Sequence, residues 1–456
     1  MSHCELFSAK QGEEIFRRSL QILEKRGCTF EDGKALSLLA DCGCRIERQG
    51  SRVLIPTARM VAALEKRAAG GGLSSGNTTN IAAGVATQLW NIRGTKLQKA
   101  GWDECGKIVA LMERLPYITS VSYGVRPEGL TAQQVEIAGC EIVLKYSHKP
   151  FQVQTTSPAL AQDILDMATV AAGSKADLAT SARCHGCIQL SKPCYFHLKE
   201  LQLLQLYAEY RQPIHLISYA YPLSMSPADL LTMQLMEWLA VLYYLCCLDA
   251  ALPVYWEFPN YVKQSAAQSA ANHYVKLLLL QSAVLQLGHT CRVPISFPAF
   301  PATGTWDFAS GWYAGLCRIF GMTRGLAEIG YAGVVGNGFS ISQLILENEI
   351  AGYLSCIDSQ TRQTIADWKT IASILQGDRS ATTANALEKS SMWKSELFRN
   401  DVLELWRNRK ADTDHFIDEH IANRWQTAAP NLLLNQNQCD SLQKIQKEGR
   451  SAKKSL

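Results

Sequence analysis

Residues 213–261 read "PIHLISYAYPLSMSPADLLTMQLMEWLAVLYYLCCLDAALPVYWEFPNY". Two short apolar runs, "PIHLISYAY" and "PVYWEF", flank a long helical stretch. That stretch holds Glu237 and Asp249 and is broken by Pro253, so it reads as a buried helix followed by a strand, not a membrane span. Strand, helix and strand in this order predict a parallel βα unit.

The rhythm continues on both sides. Upstream, "ITSVSYG" precedes "TAQQVEIAGCEIVLKYS", "PFQVQTTS" precedes "PALAQDILDMATVAAG", and "CHGCIQLS" precedes "HLKELQLLQLYAEY". Downstream, "PVYWEF" is followed by "SAAQSAANHYVKLLLLQSAVLQLG", "RVPISFPAF" by "TWDFASGWYAGLCRIFG", and "GLAEIGYAG" by "SISQLILENEIAGYLSCID". So many consecutive units favour a closed barrel over an open doubly wound sheet. The first strand also lacks the GxGxxG that a dinucleotide fold needs. The eighth strand is expected at "VATQLWNIRG", residues 85–94. The fold class is therefore α/β, a TIM-type (β/α)8 barrel over residues 76–375. Residues 1–75 carry a helix closing at Gly27, a short helix ending at Gly43, a hairpin turning at Gln49–Gly50 and a helix opening at Pro56–Thr57. They form a small N-terminal α/β cap. Residues 376–456 form a helical C-terminal extension with a basic tail.

Composition excludes several classes. The chain has 456 residues, 47% hydrophobic and 19% charged, with a net charge of only +4. Its basic residues are dispersed, which gives no electrostatic footprint for nucleic acid. No secretory signal opens the sequence, and 15 cysteines without a framework spacing fit reduced thiols in the cytoplasm. "CHGC" at 184–187 lacks the second cysteine pair that a zinc site needs, so no metal centre is expected. A homo-oligomer is compatible with the sequence.

In such a barrel the site lies where the strands end. Side chains alternate along "PVYWEF", so Tyr255 and Glu257 share one face while Trp256 and Phe258 share the other. The other strand ends and their loops supply Gln154, His185, Tyr219, Tyr221, Phe297, Phe300, Trp306, Glu328 and Tyr331. Aromatic rings dominate, two carboxylates are present, and no lysine or arginine is among them. A phosphate or carboxylate ligand would call for basic side chains. An aromatic cage with an acid suits a quaternary or tertiary ammonium, with cation–π attraction of about 1–2 kcal/mol per well-placed ring. Glu257 and Glu328 are the candidate catalytic groups and the remaining residues the candidate substrate contacts. The plainer alternative is that these rings fill the barrel and pack its loops.

Four segments carry a family resemblance. "ILEKRGCTFEDGKALSLLADCGCRIERQGSRVLIPTARMVAAL", "MERLPYITSV", "SPADLL" and "LILENEI" occur in the order found in the corrinoid-dependent trimethylamine methyltransferase family, over roughly residues 10–430. The resemblance implies a barrel enzyme that moves a methyl group from an amine nitrogen to Co(I). The corrinoid (a cobalamin) would be held by a separate corrinoid-binding protein docked over the mouth, with no cofactor bound tightly by this chain. Trimethylamine enzymes of the family carry pyrrolysine after the sixth strand. Here that loop, "FPAFPATGTWDFAS", has only standard residues. The chain thus resembles the non-pyrrolysine branch, whose substrates are betaine-like quaternary amines. It departs from the family in its proline- and aromatic-rich loop "PISFPAFPATGTW" and in "EIGYAG", where paired histidines are usual. A barrel that binds an amine or a partner protein without catalysis, and an unrelated barrel lyase or hydrolase, are the competing readings.

Overall fold

A computed structural model describes residues 6–47, 51–69, 79–92, 94–222, 224–258, 270–291, 293–298, 308–361 and 413–449. The first helix, Ala9–Lys25, starts on a capping box. Ser8 Oγ accepts from the Gln11 amide, and the Gln11 side chain accepts from the Ser8 amide. Gly27 ends it at φ +61°, where a Cβ would lie 2.0 Å from the Val53 carbonyl oxygen, so only glycine fits. Strands Cys28–Phe30, Arg45–Glu47 and Arg52–Leu54 pair antiparallel, as the sequence predicts for the hairpin. A fourth strand, Tyr195–Phe196, is lent by a barrel loop and pairs in parallel with Thr29 and Phe30. Helix Thr57–Ala69 presents the buried Arg67, whose Nη1 donates to the Leu252 carbonyl at 2.7 Å.

Seven parallel strands form the main sheet: β1 (Asn80–Ala83), β2 (Phe151–Val153), β3 (Cys184–Gln189), β4 (Ile214–Ile217), β5 (Val254–Glu257), β6 (Ile295–Pro298) and β7 (Glu328–Ala332). β1 pairs with β7, and the ladder then runs in sequence order down to β2. Residues 120–125 close the ring between β1 and β2 by the parallel bridges Ala82–Ser120, Val121–Phe151 and Ala86–Val125. The result is the predicted (β/α)8 barrel with one wall reduced to single bridges.

One strand differs from expectation. The barrel strand is Asn80–Ala83, not residues 85–94. Gln88–Trp90 instead joins a small separate sheet with Leu97–Gln98, Val334–Val335 and Gly338–Phe339. The apolar "QLW" signals a strand without saying which sheet it enters. "NIAAG" looks like turn sequence because its residues are small. That smallness is required: a Cβ on Gly84 would lie 2.9 Å from the Tyr331 Cα.

The outer faces of the strands bind the helices. Trp256 stacks on Trp238 at 5.9 Å and donates from Nε1 to Ser218 Oγ at 3.0 Å. Ile295 and Ile329 abut Gly288 and Gly321 of their neighbouring helices, and Gly186 leaves room for the Tyr207 ring. On β3, Gly186 therefore faces outward with Cys184, while Cys187 faces inward, so the two cysteines of "CHGC" cannot converge on one ion. Helix Pro227–Leu248 is capped by Ser226. It has the length and apolarity of a membrane span, yet 83% of its apolar window is buried inside the fold. Near the C-terminus, helix Gln436–Glu448 packs on helices Pro158–Ala172 and Ala132–Tyr146. The tryptophan-bearing segment "SSMWKSELFRNDVLELW" and the tail beyond residue 449 lie outside the described residues.

Two buried acids brace the loops around the mouth. Glu347 accepts from Arg318 Nη2 at 2.8 Å, the Gly333 amide at 3.1 Å and Gln343 Nε2 at 2.9 Å. Removing it strands a fully buried guanidinium, so Glu347→Ala is expected to cost about 3–5 kcal/mol in urea unfolding. Glu237 accepts from the Tyr221 hydroxyl at 2.5 Å and the Cys194 amide at 2.8 Å, tying two loops to one helix. Burial pushes its carboxyl from 4.5 up to about 7, against the pull of those hydrogen bonds. The folded value lies above the unfolded one, so its stabilising effect is complete below about pH 4.5 and is lost as pH rises through 7. Glu237→Gln is therefore expected to flatten the fall in unfolding free energy between pH 5 and 8, by up to about 3 kcal/mol.

Candidate active site

The inner face of the barrel carries a polar ring that the strand register dictates. Glu257, Ser296 and Glu328 are ladder partners on β5, β6 and β7. His215 is the partner of Tyr255 on one side and Cys187 on the other, and Gln152 is the partner of His185. In a parallel ladder partners share a face, so these side chains converge.

At the centre stands His215, fully buried. Its Nδ1 lies 3.5 Å from Glu257 Oε2 and 3.6 Å from Glu328 Oε1. Its Nε2 lies 3.1 Å from His185 Nδ1, and His185 Nε2 lies 2.8 Å from the Ala182 carbonyl. Tyr255 stacks flat on the His215 ring, centroids 4.5 Å apart and planes 9° apart. Glu328 also accepts from Gln152 Nε2 at 2.5 Å and Ser296 Oγ at 3.4 Å.

The electrostatics follow from burial and neighbours. For Glu328, burial pushes the carboxyl up, opposed chiefly by His215. For His215, burial works against the charged form, but Glu328 and then Glu257 outweigh it and hold the imidazole above its usual range. Among the described residues, His185 forms no ion pair with a carboxylate. Burial and the charge on His215 pull it down to about 3, so it is neutral. Donor atoms of His185, His215 and Glu328 lie within 4.8 Å of one another, close enough for a metal centre. The nitrogens already face partners: His185 Nε2 the Ala182 carbonyl, His185 Nδ1 the His215 Nε2, and His215 Nδ1 the two carboxylates.

The predicted residues fall in several different places. Glu257, Glu328, His185 and Tyr255 come together as described, although only Glu257 ends its strand. Glu328 opens β7, and His185 and Tyr255 are second in β3 and β5, so the ring forms inside the barrel and not at the strand ends expected from the sequence. Tyr219 lies two residues past the end of β4, half-buried, with its ring edge-on to Tyr221 at 5.1 Å. Tyr331 is the last residue but one of β7, within a register shift, in the left-handed region at φ +64°. That is uncommon for a bulky residue and recurs where strain serves a site. Burial and the nearby Glu257 raise its phenol. Gln154 is exposed at the rim beyond β2. Tyr221 is spent on Glu237 beneath the loop. Phe258 and Phe297 are corrections to the expected cage: they pack edge to face at 5.8 Å on the outer side with Trp256 and Ile329, because strand alternation turns them toward the helices. Phe300 and Trp306 lie outside the described residues.

Sequence reasoning missed His215, which sits mid-strand in "PIHLIS" rather than at a strand end. A histidine at an inward position of a barrel strand was the available signal. It also corrects the expectation that the acids have no cationic partner. Among the described residues, His215 is the cation that faces both, and no lysine or arginine pairs with either.

Comparison with known proteins bears on this site. The sequence profile "Trimethylamine methyltransferase (MTTB)" matches residues 1–257, through the cap and the barrel as far as Glu257. The match ends well short of residue 430 and leaves "LILENEI" outside it. No curated protein sequence matches. Among solved structures, the chain is similar to one titled "Crystal structure of the hydroxylamine MtmB complex", at 8% identity and a TM-score of 0.42, covering 92% of this chain and 93% of that one. A profile that spans 257 of 456 residues, and ends on the strand that carries the buried acid, places the protein: the chain belongs to the trimethylamine methyltransferase family.

Proposed function

We propose that the chain moves a methyl group from a quaternary ammonium to the Co(I) of a corrinoid carried by a separate protein docked over the barrel mouth. The observation that carries this reading is the pair of buried acids, Glu257 and Glu328, which share a single imidazolium. With both ionised, the ring holds a surplus negative charge in a low-dielectric setting, and a cation is the natural complement. Tyr255 and Tyr331 give aromatic surface beside it, each half-buried and able to add cation–π attraction.

The chemistry asks little acid–base work of the chain. A corrinoid in its Co(I) state supplies the nucleophile. The C–N bond breaks, its electron pair stays on nitrogen, and the amine leaves neutral with no proton required. Glu257 and Glu328 hold the ammonium, and the tyrosines orient it. Gln154 and Gln189 are exposed at the rim, where an outside carrier would dock. Positioning and water exclusion are then the catalytic contribution.

The test is incubation with a reduced corrinoid protein and a panel of choline, tetramethylammonium, glycine betaine and carnitine. The corrinoid absorbance change and the demethylated amine would both be followed. Turnover is expected with the carboxylate-free cations, and tightest binding of a carboxylated betaine would count against the electrostatic argument. Calorimetric binding without turnover would point instead to an amine-binding barrel. Glu257→Gln is expected to weaken tetramethylammonium binding by at least about tenfold, and Tyr255→Ala by a similar factor.

A further inference from the structure

His215 reaches both acids with one nitrogen. Nδ1 is fully enclosed and, at 3.5 and 3.6 Å, lies just beyond ordinary hydrogen-bond distance from each carboxylate, making no hydrogen bond to any protein atom. Its protonation can be deduced from the far end of the chain of contacts. The Ala182 carbonyl only accepts, so His185 must carry its proton on Nε2, which leaves Nδ1 bare. His215 Nε2–H then donates to that bare nitrogen. One His215 proton is thereby fixed, and Nδ1 is left facing two carboxylates. A lone pair there would be opposed by both negative charges, so Nδ1 is protonated as well.

Resting on the cationic-donor reading above, we infer that His215 is a specificity-determining residue: its imidazolium sets the net charge of the seat at minus one and so selects a methyl donor with a single positive charge and no carboxylate. A zwitterion would bring a third carboxylate into the ring. A dication would leave an uncompensated charge, and a neutral amine would gain nothing. The count takes Glu328 as ionised: His215, Ser296 and Gln152 favour its carboxylate against the burial that raises it. The other groups facing His215 do not alter the count. Tyr255 on β5 and Cys187 on β3 are both held in their neutral forms by burial, and Gln152 and Ser296 carry no charge. Tertiary amines would bind as their protonated ions.

The experiment measures tetramethylammonium affinity by calorimetry from pH 5 to 8.5 in the wild type, His215→Gln, Glu328→Gln and the double variant. Glu328→Gln leaves a neutral seat and is expected to lose at least about tenfold. The double variant, with Glu257 alone, is expected to return to within a few-fold of wild type. In His215→Gln the two acids share a proton, so the acid limb of the affinity profile is expected to move to higher pH, a shift that loss of packing alone would not produce. A double variant weaker than both singles, or Glu328→Gln binding like wild type, overturns the inference. Nitrogen-15 spectra of histidine-labelled wild-type protein give an answer even if the variants do not fold. His215 is expected to be doubly protonated at pH 7.5, and a neutral ring there overturns the inference. If the wild type binds no tetraalkylammonium while His215 remains doubly protonated, the donor reading fails and the charge count stands. If it binds but the double variant is not restored, the reverse holds.

Discussion

Two carboxylates held side by side inside a barrel are the constraint around which the rest is arranged. Burying an ion costs several kcal/mol unless hydrogen bonds and an opposite charge offset it. Ser296 and Gln152 answer for Glu328, and His215 answers for both acids with one charge between them. His185 and the flat contact with Tyr255 in turn keep the His215 ring from rotating away. Because the polar groups are gathered inside, the outer faces of the same strands are free to be apolar. Trp256, Ile295, Phe297 and Ile329 there weld the sheet to its helices. Arg67 of the cap is bonded to the Leu252 carbonyl, at the start of the strand that carries Tyr255 and Glu257.

The barrel was legible because repeated strand–helix alternation is a long-range signal that survives errors in any one element. The strand at Asn80–Ala83 was hidden because small residues chosen for close packing look like turn residues. Alternation along "PVYWEF" assigned Glu257 and Tyr255 to the interior and Trp256 to the helices, and the same rule applied to Phe258 and Phe297 would have removed them from the cage. His215 was illegible for a different reason. Its role depends on two acids that lie 42 and 113 positions further along the chain, and only the ladder register brings the three together.

The segments that carry the family resemblance do mechanical work in this fold. Ser226 of "SPADLL" caps the long helix, with Pro227 in its first turn. In "LILENEI", Glu347 clamps Arg318 and the Gly333 amide, while Asn348 accepts from the Tyr117 amide at 3.0 Å. The clamp on Gly333 lies two residues from Tyr331 and helps hold the strained turn that aims that ring. The four landmark segments thus mark the frame, while His215, inside the matched residues 1–257, belongs to none of the four. Specificity could then drift while the landmarks stay.

The borrowed strand of the cap bears on how the chain is made. Thr29 cannot meet Tyr195 until the third βα loop has been synthesised, 166 residues later. At about 5–20 residues per second, the cap sheet waits roughly 8–33 s with an open edge along Cys28–Phe30. During that interval a strand paired on one side only, with two residues buried in the finished fold, Cys28 and Phe30, keeps its other edge open to nascent chains. The N-terminal segment should therefore depend on chaperone cover more than its small size suggests, and its folding is coupled to the barrel from the start.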